Sequence, residues 1–285
     1  MPYVKYQALG NDYLVLDPAQ APAELSSHQV QRICDRHYGV GSDGVLLGPF
    51  EDAECDFRLR LFNPDGAEFE KSGNGLRIFA RYLWDLGLVQ HELFTIATPG
   101  GPVLVRVHRG GRRVTVEMGL ISFDSRRIPV TGPPREVVDE TLDIDGETFR
   151  YCAATIGNPH CVVLCDEVSP EIARRWGPLI ERDARFPNRT NVQFMKVLDR
   201  ANVQIEIWER GAGYTLASGS SSCAAAAAAH RLGLSGAEIA VHAPGGIIDI
   251  RIGPDLAITM AGAVSRVCDG LFSSEALEVE HASGI

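Results

Sequence analysis

The stretch Leu216-Ala-Ser-Gly-Ser-Ser-Ser-Cys-Ala-Ala-Ala-Ala-Ala-Ala-His230 decides how the rest of the chain is read. Small residues from Ser218 onward lead into a run of six alanines, Ala224 to Ala229. Alanine is the best helix former and carries no bulk, so a slender helix that other backbone can approach closely is predicted. The first N–H groups of such a helix have no partner inside it. With the positive end of the helix dipole they suit a carboxylate or a phosphate. An ordinary core helix with a serine cap has the same local signature.

A second copy of the arrangement tips that balance. Lys71-Ser-Gly-Asn-Gly-Leu-Arg-Ile-Phe-Ala-Arg-Tyr-Leu-Trp-Asp-Leu-Gly87 again sets Ser-Gly before an apolar helical period, with Leu76, Phe79, Ala80 and Leu83 on one face and Gly87 as the stop. Two further pairs recur in the same order. Leu9-Gly-Asn-Asp-Tyr13 answers Ile156-Gly-Asn-Pro-His160, and Thr98-Pro-Gly-Gly101 answers Ala243-Pro-Gly-Gly246. The offsets are 147 (Asn11 to Asn158), 146 (Ser72 to Ser218) and 145 (Gly100 to Gly245). Three motifs near one offset indicate an internal duplication, two similar halves rather than a solenoid.

Bulk composition narrows the partners. A chain of 285 residues suits two domains, expected at 1–130 and 131–285, each large enough for its own core. The 27 basic against 37 acidic residues argue against nucleic acid or an anionic membrane as the main partner. A small anionic substrate remains compatible, because a site can be locally positive. Seven cysteines scattered without metal spacing indicate a reducing cytoplasm, no disulfide framework and no metal site. No charged-then-apolar leader and no run of membrane-spanning length is present in the sequence.

In chain order, 3–17 reads as a strand interrupted at Gly10-Asn11-Asp12, 26–37 as a helix, and Asp56-Phe-Arg-Leu-Arg-Leu-Phe62 as a half-buried alternating strand. Strands are expected at 93–98, 102–108 and 113–118, and a linker at 125–134, rich in Arg, Pro and Gly. The second half repeats the order: strands at 148–155 and 161–165, a helix at 169–181, and strands at 191–197 and 203–208. The Glu209-Arg-Gly-Ala-Gly213 loop then feeds the Ser218 helix, and strands at 238–242, 246–252 and 256–260 finish the half. Many strands around one long small-residue helix per half make an α+β pattern, not the strand–helix alternation of a dinucleotide-binding fold.

If the halves share a fold and pack face to face, the helix starts after Ser72 and Ser218 are expected at one cleft. They would hold a carboxylate with one hydroxyl on each side of the adjacent carbon. That symmetry suits proton removal on one face and return on the other. Preorganised donors of this kind are worth about 2.7–4 kcal/mol each in comparable sites, and a positioned general base about 10²–10⁴ in rate.

These motifs together resemble the diaminopimelate epimerase family over essentially the whole chain. The resemblance is carried by Ala8-Leu-Gly-Asn-Asp12, Phe62-Asn-Pro-Asp-Gly66, Ser72-Gly-Asn-Gly-Leu-Arg77, Gly157-Asn-Pro-His160, Asn191-Val192, Trp208-Glu-Arg-Gly-Ala-Gly213 and Pro244-Gly-Gly246. It implies two mirror-related α+β domains, each a sheet wrapped round a central helix, and a cofactor-independent epimerase acting on an amino acid in a cleft between them. It further implies that the helix starts Gly73-Asn74 and Gly219-Ser220 bind the reacting carboxylate. Asn63, Asn158, Asn191, Glu209 and Arg210 would hold the distal end, with Asn11 and His160 lining the site. The family is commonly dimeric, so a homodimer is expected.

The departures matter as much. The two catalytic cysteines of the family fall at Ser72 and Ser218, read here as a natural variant rather than an engineered trap, because Lys71, Tyr214 and the Ser220–Ser222 run also depart. Cys223 matches a non-catalytic cysteine and reads as a buried free thiol. A hydroxyl is a poor base at its free pKa and needs an activating neighbour, for which His160 is the candidate; a histidine at a cleft can equally be a hydrogen-bonded ligand binder. Three readings stay open: an epimerase of LL- and meso-diaminopimelate, a related racemase, isomerase or dehydratase on another amino or hydroxy acid, and a non-catalytic or inactivated amino-acid binder.

Overall fold

The computed structural model describes residues 1–22, 24–108 and 110–277. The chain divides into two compact units, Met1–Val116 with the segment that begins at Ala263, and Glu117–Gly262.

The first unit begins with β1 (Pro2–Ala8), β2 (Asn11–Leu16), α1 (Ser27–Cys34), β3 (Val45–Phe50) and β4 (Phe57–Phe62), followed by α2 (Gly73–Asp85), β5 (Leu93–Thr98), β6 (Gly101–Val107) and β7 (Arg113–Leu120). Its pairings run antiparallel β1–β2, parallel β2–β3, antiparallel β3–β4, parallel β4–β5 and antiparallel β5–β6–β7. Alternation sets the register of β4: Leu59 and Leu61 are fully buried, while Arg60 turns out to Glu68 at 2.9 Å. The helix α2 packs against β1, β2, β3 and β6 and buries Leu76, Phe79, Ala80 and Leu83. On another face, α1 joins Leu14, Leu16, Val45 and Leu47 in a separate cluster. A capping box between Ser26 and Gln29 starts α1, and Asp35 ends it three residues short of the expected 26–37 span.

The second unit contains β8 (Glu140–Ile144), β9 (Glu147–Thr155), β10 (Pro159–Leu164), α3 (Pro170–Glu181), β11 (Asn191–Asp199), β12 (Asn202–Glu209), β13 (Gly213–Thr215), α4 (Gly219–Arg231), β14 (Glu238–Ala243), β15 (Gly246–Ile252) and β16 (Ala257–Ala263). Antiparallel β9–β10, parallel β10–β11, antiparallel β11–β12, parallel β12–β14 and antiparallel β14–β15–β16 reproduce the first unit's pattern step for step. The helix α4 packs against β9, β10, β11, β12, β14 and β15, and all six alanines from Ala224 to Ala229 are fully buried. Alanine lets the surrounding strands close on this helix from several sides. The fold is therefore α+β, with two pseudo-symmetric units, each a sheet wrapped around a central helix.

Two details of the expected division change. The last strand, β17 (Ser265–Leu271), pairs antiparallel with β1, as β8 pairs with β9. It thus supplies the first unit with the counterpart of β8, and the boundary at 130/131 gives way to crossings near 116 and 262. The stretch 125–134 is no linker either. Ile128 and Val130 are buried in the second unit's core, and Val130 N–H donates to Ser125 O at 2.7 Å. Among the described residues no helix is long and apolar enough to cross a membrane.

Candidate active site

Each central helix starts at one of the two serines, and the duplication brings the same motif beside both. In the first unit Ser72 is the N-cap of α2: its Oγ accepts from Gly75 N–H at 3.0 Å. The Tyr13 hydroxyl lies 3.4 Å from the same Oγ. Asn74, buried on the first turn, donates through Nδ2 to Asn11 Oδ1 at 3.0 Å and accepts from the guanidinium of Arg77. Asn11 in turn donates to Asp43 Oδ2 at 2.9 Å, which also takes Asp12 N–H at 3.0 Å. Arg36 bridges Asp12 and Asp43 at 2.8 Å each, and Lys5 reaches Asp12 at 2.7 Å. With both cations beside it, the Asp12 carboxyl is held below its usual range even though burial opposes this. The amides of Asn11 and Asn74 are thereby fixed in direction. Asn63 sits at the turn after β4, its N–H bonded to Ala67 O at 2.9 Å, and stands apart from this chain of bonds.

In the second unit Ser218 is the N-cap of α4 but makes no side-chain capping bond. Its Oγ lies 3.5 Å from Ser220 Oγ, and its carbonyl receives both N–H and hydroxyl of Ser222, at 3.0 and 2.9 Å. Asn158 Nδ2 reaches Ser220 Oγ at 3.4 Å. The same two positions of the repeat, Asn11 and Asn74, are bonded in the first unit, but there the helix residue donates and the loop asparagine accepts. The N–H groups of Gly219, Ser220 and Ser221 have no intrahelical partner, as in any first turn.

His160 is fully buried on β10, opposite Asn191 on β11, and its Nε2 lies 2.9 Å from Asn158 Oδ1. Burial, with a smaller push from the Arg210 charge and against a bond to Gln193, holds its pKa down at about 3, so the ring is neutral. Its hydrogen bond goes to Asn158 and not to either serine. Asn191 bridges the scaffold, donating to Pro159 O at 2.8 Å and accepting from Arg210 N–H at 2.9 Å. Glu209 ends β12 and Arg210 follows it, exposed, with its guanidinium on Asn188 O at 3.1 Å. Tyr214 turns its hydroxyl onto Glu206 at 2.7 Å, and burial, with that bond, pushes its pKa up to about 12. Cys223 is buried and in no disulfide, as expected.

Within each unit the structure brings together most of the expected residues: Asn11, Ser72, Gly73 and Asn74 in one, Asn158, His160, Asn191, Ser218, Gly219, Ser220 and the backbone of Arg210 in the other. Sequence reasoning missed Tyr13, whose place in the repeat is that of His160 and which touches Ser72. It also missed Gln193, which donates to Ser221 Oγ at 3.0 Å, and Glu181, described below. Tyr13 was legible from the aligned Leu9–Tyr13 and Ile156–His160 motifs. Gln193 and Glu181 carry no local signal. Among the described residues no three His, Cys, Asp or Glu side chains gather as metal ligands would.

A family model described as diaminopimelate epimerase matches residues 3–123 and 152–267. A Nostoc sp. protein named diaminopimelate epimerase 2 is 56% identical over 280 residues, covering 98% of each chain. A diaminopimelate epimerase from Moorella thermoacetica is 38% identical over 279 residues, covering 95% of this chain and 99% of its own. Among solved structures, a hydroxyproline epimerase from Agrobacterium vitis superposes with a TM-score of 0.67 at 15% identity, covering 99% of this chain and 95% of its own; at that identity the likeness is one of fold.

Proposed function

Because the chain belongs to the diaminopimelate epimerase family, we propose that it is a cofactor-independent isomerase interconverting LL- and meso-diaminopimelate by two-base proton transfer at the α-carbon. The observation that carries the reading is the matched pair of helix starts, each headed by a hydroxyl and each opening with unpartnered backbone donors. In this mechanism the first-turn N–H groups at Gly73-Asn74 and Gly219-Ser220 bind the reacting carboxylate. They also stabilise the negative charge that develops on it as the α-proton leaves. One serine, as its alkoxide, takes the α-proton and becomes a hydroxyl, while the other, as its hydroxyl, returns a proton on the opposite face and is left as the alkoxide. This requires both oxygens to reach one α-carbon. Asn63, Asn158, Asn191, Glu209 and Arg210 recognise the distal amino-acid end, and Asn11 orients Asn74. The seven free thiols support a reducing, cytoplasmic setting.

Purified protein incubated with LL- or meso-diaminopimelate in deuterated water tests this. The expected result is loss of the α-proton signal and appearance of the other stereoisomer. Binding without α-proton exchange ends the epimerase reading. A panel of other amino and hydroxy acids in the same assay identifies any different substrate. One observation favours the second reading, a binder without turnover. Ser72 Oγ has the Tyr13 hydroxyl at 3.4 Å and Ser218 Oγ the Ser220 hydroxyl at 3.5 Å, and the buried imidazole is bonded elsewhere.

A further inference from the structure

Glu181 is the last residue of α3 and only 3% exposed, yet it lies far in sequence from every residue assigned above. Its two carboxylate oxygens are divided between groups on either side of the Glu209–Arg210 turn. One accepts from Trp208 Nε1 at 2.8 Å, the other from Gly211 N–H at 3.2 Å. Arg189 Nη1 stands 3.7 Å from the second oxygen, so the buried charge is both paired and hydrogen-bonded. A buried carboxylate left without such partners costs several kcal/mol, which is why a residue of this kind persists only where its bonds hold.

The surroundings lock the same turn. The Trp208 ring lies against Gly177 of α3, where an added Cβ would meet its Cγ at 2.4 Å, so the helix approaches the indole as only glycine allows. Gly211 has φ +79°, the left-handed conformation that turns its N–H back toward the carboxylate. Between the two anchors, Arg210 N–H is held by Asn191 at 2.9 Å. The turn 208–211 is thus tied at three points, the Trp208 indole and the backbone N–H groups of Arg210 and Gly211, while the Arg210 side chain is left exposed.

We propose that Glu181 is a positioning residue for substrate specificity: by gripping Trp208 and Gly211 it fixes the direction in which Arg210 meets the distal carboxylate of a diamino diacid. The proposal rests on the reading of Glu209 and Arg210 as the distal-end contacts. Glu181 touches neither substrate nor reacting atoms in this scheme. Its effect passes through the turn. Arginine recognises a carboxylate by a planar fork, so a small rotation of its backbone loses one of two parallel bonds.

The test uses the full chain with Glu181→Gln and, as a milder change that keeps an aromatic ring, Trp208→Phe. Glu181→Gln retains shape but leaves one oxygen where two were used. The expected result is KM for diaminopimelate raised about tenfold with kcat changed less than about twofold. Loss of hydrogen-exchange protection at the Gly211 amide should accompany it. Trp208→Phe should shift KM the same way by a smaller factor, and it alone decides if Glu181→Gln does not fold. A merely structural role would lower the active fraction, and hence kcat, at unchanged KM. That result, or a Gly211 amide as protected as in the wild type, overturns the proposal. If the wild type binds diaminopimelate but exchanges no α-proton, the epimerase reading fails on its own, and the ratio of calorimetric Kd values replaces KM. If the wild type does not bind diaminopimelate at all, the specificity claim falls with it.

Discussion

The two helix starts are copies in sequence but not in chemistry. Ser72 spends a lone pair on Gly75 N–H at 3.0 Å, so its hydroxyl closes the first turn of α2. Ser218 closes nothing on α4, and its Oγ lies 3.5 Å from Ser220 Oγ. The neighbours diverge too: Tyr13 touches Ser72, whereas His160, its counterpart in the repeat, turns to Asn158. Duplication preserved the frame, including a hydrogen bond between the loop asparagine and the first turn, donated by Asn74 to Asn11 in one unit and by Asn158 to Ser220 in the other. It left the two hydroxyls in different states. One is a structural cap that already accepts a backbone hydrogen bond; the other caps nothing.

The largest expected effect comes from placing sulfur at the two helix starts. A thiol ionises near pH 8.5, and a helix N-terminus lowers that further, so Ser218→Cys supplies a base that the hydroxyl does not. Together with Ser72→Cys it should raise the rate of α-proton exchange by about 10²–10⁴. The comparison predicts an order among the single variants. Ser218→Cys should gain more, because sulfur at position 72 also weakens the cap of α2. Equal gains at both positions, measured by deuterium incorporation, would show that the cap does not restrain Ser72.

Acid should separate the units next. His160 binds its proton at about pH 3 in the folded chain, against about 6.5 when free. Between these values the unfolded chain takes up a proton that the folded chain refuses. The stabilisation is therefore complete above about pH 6.5 and is lost as pH falls toward 3, at roughly 1.4 kcal/mol per pH unit. Urea unfolding at pH 6 and pH 4.5 should differ by about 2 kcal/mol from this group, and His160→Asn should remove that difference. The first unit has Tyr13 at the matching place, and burial lowers the pKa of its own His108, so the His160→Asn variant, rather than the unit as a whole, isolates this component.

How much of this could be read beforehand follows from where the information lies. The repeated motifs foretold two like halves and both central helices because Ser-Gly before an apolar period is local. The alternation of residues 57–62 likewise foretold β4. The return of β17 to β1 was not legible: Leu271 pairs with Pro2 across almost the whole chain, and the side chains of β17 are nearly all exposed, so no alternation marks it. The stretch 125–134 misled because Arg, Pro and Gly dominate its composition while Ile128 and Val130 do the anchoring. In the site, side-chain types were legible from the motifs but hydrogen-bond partners were not. Whether Ser72 or Ser218 caps its helix depends on rotamers and on what stands three residues on, Gly75 in one and Ser221 in the other. Ser221 Oγ is already engaged by Gln193 at 3.0 Å.

The smallest predicted effect isolates that last difference. Ser72→Ala removes the acceptor that Gly75 N–H uses, and loss of a serine cap typically costs about 1 kcal/mol. Ser218→Ala removes a hydroxyl that caps nothing, so its cost should be no more than a few tenths, about 0.3 kcal/mol, within the range of substitutions that break no specific bond. Urea unfolding of the two variants beside the wild type measures both. A ligand reverses the ranking: a carboxylate held at the open first turn of α4 draws on donors that Ser218 leaves free, while at α2 one of the three is already taken. The ligand-induced stabilisation should therefore survive Ser72→Ala, which frees the Gly75 N–H as a further donor, more fully than Ser218→Ala, which frees none, since binding to the native state alone adds stability that grows with affinity. Equal costs for the two alanine variants without ligand would mean that Ser218 caps α4 in solution, and the asymmetry between the helix starts would vanish.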